Sequence, residues 1–220
     1  MITIRKQREP KSLTQFRASG GKKFDDLDSV TKNELRASLL KEQGYICAYC
    51  MKRIGRDRNE KGYCDDVTIE HVVPRAYTKT IPEMEMMEID YSNLVAVCTG
   101  NSNGMTHCDT SKEDNLISFN PCNSAVEASI KYGLKDGTIS SSNESWDDDL
   151  NSQSKLNLNH PTLKTNRKAA LKGLIRVLDK KKWSRTQLER RIDQLDNNQP
   201  KAEYVGILKY FINKKLSSLR

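Results

Sequence analysis

Apolar residues recur at helical spacing in two stretches of the chain and at strand spacing in a third that lies between them. Leu35, Leu39 and Leu40 form one face of a helix expected from Lys32 to Gln43, opened by a Thr31/Glu34 capping box and stopped at Gly44. Val67 to Val73 nearly alternates and is rich in β-branched residues, which predicts a strand ended by Pro74. Farther on, Leu163, Ala170, Leu174 and Leu178 mark a second helix and Ser184 with Gln187 caps a third. Tyr204, Ile207, Leu208 and Phe211 mark a last helix after Pro200.

The remaining segments read as irregular. Residues 1–28 are basic and broken by Pro10 and Gly20-Gly21, so they form an extended arm. Met51 to Tyr63 is a polar hairpin loop, and 78–90 is an excursion whose Met84, Met86 and Met87 read as gap-filling core. Tyr91 to Val97 leads into Cys98, Asp109 to Leu116 forms a short helix, and 136–155, with Asp147-Asp148-Asp149, is a loop or hinge. The divisions are an arm (1–28), a central domain (29–122), a linker (123–155) and a basic helical lobe (156–220).

Composition changes this picture at one point. Only 36% of residues are hydrophobic and 30% are charged, so a small central domain needs a staple beyond apolar burial. Six cysteines are available, and Cys47-x-x-Cys50 with Cys98 and Cys108 offers the four thiolates of a closed zinc site. The two pairs lie about fifty residues apart, so one ion binds them only if the intervening chain folds back on itself. The second pair is irregular, with nine residues between its cysteines, and the Thr99–Met105 bulge must loop out. His107 is the rival fourth ligand, while Cys64 and Cys122 read as free thiols. The N-terminus lacks the apolar run of a signal peptide and no stretch approaches a membrane span, so a cytoplasmic protein is expected. In that reducing compartment paired cysteines favour metal over disulfides. A net charge of +8 and a pI near 9.1 favour polyanionic partners, nucleic acid first.

Glu70-His71 ends the predicted strand. A neutral imidazole takes a proton from water, and a carboxylate beside it holds a hard cation. Asp109, next to Cys108, is placed to supply a second oxygen if the zinc draws Cys108 toward the strand.

Cys47-x-x-Cys50, Ile69-Glu70-His71-x-x-Pro74, Asn93-Leu94 and Cys98…Cys108-Asp109-x-x-Lys112 together resemble the HNH endonuclease superfamily in its zinc-stapled form. The resemblance implies an α+β fold: a ββα-metal finger with flanking helices and a C-terminal helical lobe. It implies His71 as general base, Asn93 as the residue that orients it, and Glu70 with Asp109 as ligands of Mg²⁺ or Mn²⁺. Asp109 stands where His or Asn is usual, and Glu70 where Asp is common; both departures keep an oxygen for the cation.

The outer motifs resemble one family more specifically. The opening Ile-Thr-Ile-Arg-Lys with Pro10 and Leu13, the His107-Cys108-Asp109 run, Leu156-Asn-Leu-Asn and Asn166-Arg167 are similar to PtuB, the HNH subunit of Septu-type bacterial anti-phage systems. That resemblance implies an ABC- or SMC-like ATPase partner (PtuA-like), and in some systems a retron reverse transcriptase with its msDNA. Eleven Lys or Arg against Asp179 and Glu189 between Lys164 and Arg191 suit phosphate contact, docking to the ATPase or a solvated face. Candidate nucleic-acid contacts are Arg75, Lys112, Lys180, Lys181, Lys182 and Arg185. The leading reading is a metal-dependent endonuclease acting on DNA, with tRNA the other substrate. The alternative is a zinc-stapled binding or adaptor protein with an inactive HNH site.

Overall fold

The computed structural model describes residues 1–55, 66–102, 104–179 and 183–219. The N-terminal arm is not extended. Met1 and Ile4 are buried, the Ile4 N–H donates to the Pro121 carbonyl at 3.0 Å, and a helix, α1 (Lys11–Ala18), follows Pro10 with Leu13 wholly enclosed. Pro10 does not break structure here because it precedes the helix, where its fixed φ suits the entry and no N–H is required.

The next helix, α2 (Ser29–Gln43), begins before Thr31, because Asp28 rather than Thr31 is the cap: its Oδ1 accepts the Thr31 N–H at 2.6 Å. The left-handed Gly44 (φ 68°) ends it where the sequence predicts. Leu35, Leu39 and Leu40 face inward, and α2 packs on the central hairpin. That hairpin pairs β1 (Thr68–His71) with β2 (Leu94–Val97) antiparallel, in the register Glu70↔Val95 and His71↔Leu94. All four β2 residues are buried, so it reads as a continuous apolar run. Most of the expected loop at 51–63, and Cys64, lie outside the described residues.

Between the strands, Pro74 leads into one turn, α3 (Arg75–Thr78), then a 3-10 turn over Pro82–Glu88 and another over Tyr91–Asn93. The methionine cluster is not core: Met86 is exposed and the anchor is the fully buried Ile89. A two-residue ladder joins β3 (Asn101–Ser102) to β4 (Met105–Thr106), and α4 (Asp109–Lys112) ends after one turn at Glu113, whose φ of 49° leaves the helix.

The stretch expected as a linker is ordered. It holds α5 (Ser124–Ser129), the antiparallel pair β5 (Ile130–Tyr132) and β6 (Ile139–Ser141), and α6 (Glu144–Asn151). Its polar residues are used as local acceptors. Asn143 caps α6, Asp147 accepts the Ser141 N–H at 2.8 Å, and buried Asp149 accepts the Ser118 N–H at 2.6 Å. The final helices are α7 (Pro161–Asp179), α8 (Arg185–Asn197), with its Ser184/Gln187 capping box formed, and α9 (Val205–Ser218). They share the core of the hairpin rather than forming a separate one, since a single buried cluster runs from Met1 to Ile212. Among the described residues no helix is long and apolar enough to cross a membrane.

Candidate metal centre and active site

Four sulfurs meet where α2, the hairpin and α4 converge. Cys47, Cys50, Cys98 and Cys108 are buried, and their sulfurs all lie within 4.8 Å of one another. Cys47 Sγ and Cys108 Sγ are 3.9 Å apart, and Cys50 Sγ and Cys98 Sγ 3.7 Å. A tetrahedron with Zn–S bonds near 2.3 Å has edges of about 3.8 Å, whereas a disulfide needs about 2.05 Å, so the donor set fits zinc and not oxidation.

Local chemistry shapes each half. The knuckle is closed by the Met51 N–H on the Cys47 carbonyl (3.0 Å), with Met51 itself at φ 63°. Buried Gln43 locks the knuckle to β2, its amide donating to the Ile46 and Ala96 carbonyls (3.0 and 2.7 Å) and accepting the Ala96 N–H (2.7 Å). In the long second pair, the β3–β4 ladder takes up the extra residues and Gly100 closes the neck, its carbonyl accepting the His107 N–H at 2.8 Å. A Cβ on Gly100 would lie 1.9 Å from the His107 carbonyl oxygen.

His107 is not the fourth member of the cluster. Its Nδ1 lies 3.3 Å from Cys108 Sγ, so it serves as a hydrogen-bond partner of that sulfur, the kind of outer contact that orients ligands. Burial holds its imidazole down at about 4, so it is neutral. Burial raises the Cys108 thiol. Cys47, against its own burial, is drawn well below the ordinary thiol range by hydrogen bonds from Cys108, Cys50 and Cys98. The fully enclosed Arg167 lies within electrostatic reach of Cys50 and Cys108 and spends its donors on the Gly137 and Leu158 carbonyls, both at 2.6 Å. Its buried positive charge would offset part of the charge of the four sulfurs if they bind a metal as thiolates. Sequence reading missed this role, although Arg167 stands on the same α7 stripe as Leu163, Leu171 and Leu174.

Beside the sulfurs, β1 carries the two residues singled out from sequence. Successive strand side chains leave on opposite faces, and their partners differ accordingly. Glu70 meets Lys112 Nζ at 2.7 Å, Tyr49 Oη at 3.4 Å and the Asp109 carboxyl. Burial pushes the Glu70 carboxyl up to about 8 against the pull of Lys112, and Asp109 adds to the rise. Two carboxyls are thus forced together in a mostly dry place, one of them holding a proton that a cation would replace. Glu70 and Asp109 are the two oxygen donors this place offers, with Lys112 already on one Glu70 oxygen.

His71 looks the other way. Its Nε2 is 2.9 Å from the Glu88 carbonyl, an acceptor only, so Nε2 carries the proton and Nδ1 the lone pair. Burial lowers its pKa to about 4, against the raising effect of the Glu88 bond and helped by Arg75 and Lys112. Phe24 stands edge-on to the ring at 4.9 Å. Asn93 does not touch the imidazole. Its Oδ1 accepts the Val73 N–H (2.8 Å) and its Nδ2 donates to the Val73 and Met87 carbonyls (3.1 and 3.0 Å). It ties the backbone two residues after His71 to the backbone one residue before Glu88, so any orientation of His71 by Asn93 passes through the main chain.

The candidate nucleic-acid contacts divide. Lys112 is wholly enclosed and its Nζ also donates to the His71 carbonyl at 3.3 Å, so it is a site residue and not a surface cation. Arg75, partly exposed, lies on α3 next to the Glu88 carboxylate at 3.9 Å. Arg185 is on α8 and pairs with Glu189 at 3.0 Å. Lys180, Lys181 and Lys182 lie outside the described residues. Glu88, Tyr49 and Phe24 were not foreseen; Tyr49 alone had a signal, its place inside the Cys47-x-x-Cys50 knuckle.

With this geometry in hand, one relative bears directly on it. The chain is 26% identical over 166 residues to a protein of Vibrio cholerae serotype O1 biovar El Tor named "Retron Vc95 putative HNH endonuclease". The alignment covers 71% of this chain and 73% of the relative, and supports the HNH resemblance carried by the motifs. No protein-family model and no solved structure matches the chain.

Proposed function

We propose that this protein is a metal-dependent HNH endonuclease that hydrolyses phosphodiester bonds in nucleic acid, DNA above tRNA. The observation that carries the reading is the neutral His71, its proton fixed on the Glu88 carbonyl and its Nδ1 left as a base, one residue from a carboxylate paired with Asp109. The hairpin and α4, joined through the sulfur cluster, serve as the ββα-metal finger.

In this reading His71 Nδ1 takes the proton of the attacking water, and the Glu88 carbonyl steadies the imidazolium that results. Asn93 holds the Val73 and Met87 backbone so that this partner does not drift. Glu70 and Asp109 would hold Mg²⁺ or Mn²⁺, which when bound offsets charge on the reacting phosphate. Lys112 keeps Glu70 aimed and ties it to the His71 carbonyl. The four cysteines would hold a structural zinc.

The same reading places the protein in an anti-phage complex with an ABC- or SMC-like ATPase, and with a retron reverse transcriptase and its msDNA. Support comes from the retron named in the relative's description and from the Septu-like outer motifs. A second reading, a nucleic-acid-binding or adaptor module without cleavage, draws on the Glu70–Lys112 pair, which already engages one carboxylate oxygen.

The deciding experiment is Mg²⁺- or Mn²⁺-dependent cleavage of DNA and of tRNA by the purified protein, alone and with its ATPase. Folded His71→Ala should bind nucleic acid yet lose roughly 10²- to 10⁴-fold in rate. Cleavage by His71→Ala at the parental rate would remove His71 from the chemistry, and binding without any cleavage by the parent would leave the adaptor reading.

A further inference from the structure

The segment from Lys22 to Asp26 crosses over His71, which is only 6% exposed. Phe24 caps the imidazole with its plane turned 82° to it, and the Phe24 N–H donates to Glu88 Oε1 at 2.9 Å. The same residue, through its carbonyl, fixes His71 Nε2. Next to Phe24, Asp25 meets a cluster of cations. Arg75 Nη1 donates to Asp25 Oδ1 at 2.6 Å, Lys32 Nζ donates to the Asp25 carbonyl at 3.1 Å, and Lys32 and Lys79 both add positive potential at the carboxylate. Arg75 of α3 thus holds the Asp25 carboxylate, and Lys32 of α2 holds the same residue's carbonyl, next to the residue read as the base.

This carboxylate is a poor structural anchor. The Asp25 side chain is 71% exposed and that of Arg75 36%, and ion pairs so exposed contribute little to folding. A guanidinium accepts a phosphodiester as readily as a carboxylate, since both present paired oxygens to its planar donors. Arg75 is also the only one of the candidate nucleic-acid contacts described above that lies on the His71 side of the hairpin and reaches solvent.

We propose that Arg75, with Lys32 beside it, forms the seat of a backbone phosphate of the bound nucleic-acid strand, next to His71, and that Asp25 occupies this seat as a stand-in until the strand displaces it. The inference rests on the nuclease reading for the role of His71 and adds to it a substrate subsite. When the phosphate takes Arg75, the Asp25 tie is lost, while the bond from the Phe24 N–H to Glu88 still holds Phe24 over the imidazole.

Binding, not cleavage, tests this. The full-length protein is titrated into a short labelled DNA duplex without divalent cation, at low and at physiological salt, and anisotropy is read. Asp25→Asn should tighten binding roughly three- to tenfold, the weight of about one phosphate contact. Arg75→Gln should weaken it and reduce the salt slope by about one. In the Arg75→Gln background, Asp25→Asn should lose most of its effect. Glu144→Gln makes the same change of net charge on α6 and should leave affinity nearly unchanged. The proposal is overturned if Asp25→Asn binds no tighter than Glu144→Gln, if its gain survives intact without Arg75, or if the parent does not bind the duplex. A protein that shows the expected pattern yet never cuts would refute the nuclease reading and leave the phosphate seat standing.

Discussion

His71 and Glu70 are neighbours in sequence, and one cause drives their protons in opposite senses. Burial disfavours charge, so it lowers the imidazole to about 4 and lifts the carboxyl to about 8. His71 is therefore an unprotonated base throughout the range in which Glu70 still titrates. The sign of the pH dependence follows. Below about 8 Glu70 keeps a proton that would compete with the divalent cation of the proposed function for the same oxygens, so under that proposal cation binding tightens as pH rises through that value. The acidic limb of the rate profile should move to lower pH as Mg²⁺ is raised, by up to about one unit for each tenfold if one proton competes with one cation. Cleavage rates measured across pH at two Mg²⁺ concentrations check this. A limb that stays put when Mg²⁺ changes would assign it to a group other than Glu70.

At the level of elements, the loop from Cys98 to Cys108 decides whether the fourth sulfur arrives. Its neck depends on Gly100, which sits at φ 68° and has no room for a side chain against the His107 carbonyl. Gly104, at φ 75° near the loop's tip, has nothing within 4 Å of where a Cβ would be. The two glycines thus separate conformation from contact. Gly104→Ala should cost about 1–2 kcal/mol, that of the left-handed backbone alone. Gly100→Ala should cost more and displace Cys108, so that zinc per chain falls together with the melting temperature. Metal analysis and thermal denaturation of both variants give the comparison, and equal losses would show that the neck is not the constraint.

Across the whole molecule, the segment from Leu156 onward is part of what holds the four-cysteine cluster. The Cys108 N–H donates to the Leu156 carbonyl at 2.9 Å, the Asn157 side chain to the Thr106 carbonyl at 2.8 Å, and the Tyr204 N–H to the Met51 carbonyl at 2.9 Å. Arg167 reaches the same neighbourhood from α7. Removing residues 156–220 takes away these contacts and much of the single core, so the truncated chain should neither fold nor retain zinc. Circular dichroism and metal content of the truncation check this, and a folded, zinc-bound fragment would show that the lobe is separable after all. Partner docking is better tested with substitutions on exposed faces of α7 and α8.

Much of the chemistry was legible along the chain. Cys47-x-x-Cys50 with Cys98 and Cys108, the strand ending in Glu70-His71, the Gly44 stop, the Ser184/Gln187 box and three late helices depend on residue type and spacing within a few positions, which sequence records directly. Asp28 displaced Thr31 as a cap, and the Ser/Asn/Asp-rich stretch folded into β6 and α6, because short polar side chains serve a cap or a turn as readily as a loop and only their neighbours decide which. The enclosure of Lys112, the carbonyl of Glu88 on His71, the backbone role of Asn93 and the pairing of Asp25 with Arg75 join residues 17 to 50 positions apart, or use main-chain atoms that every residue possesses. No pattern in composition marks a particular carbonyl as a partner. The sequence by itself determined which reactive groups the protein owns, and the tertiary structure decided which of them meet, because burial and hydrogen-bond geometry arise only when distant segments share one core.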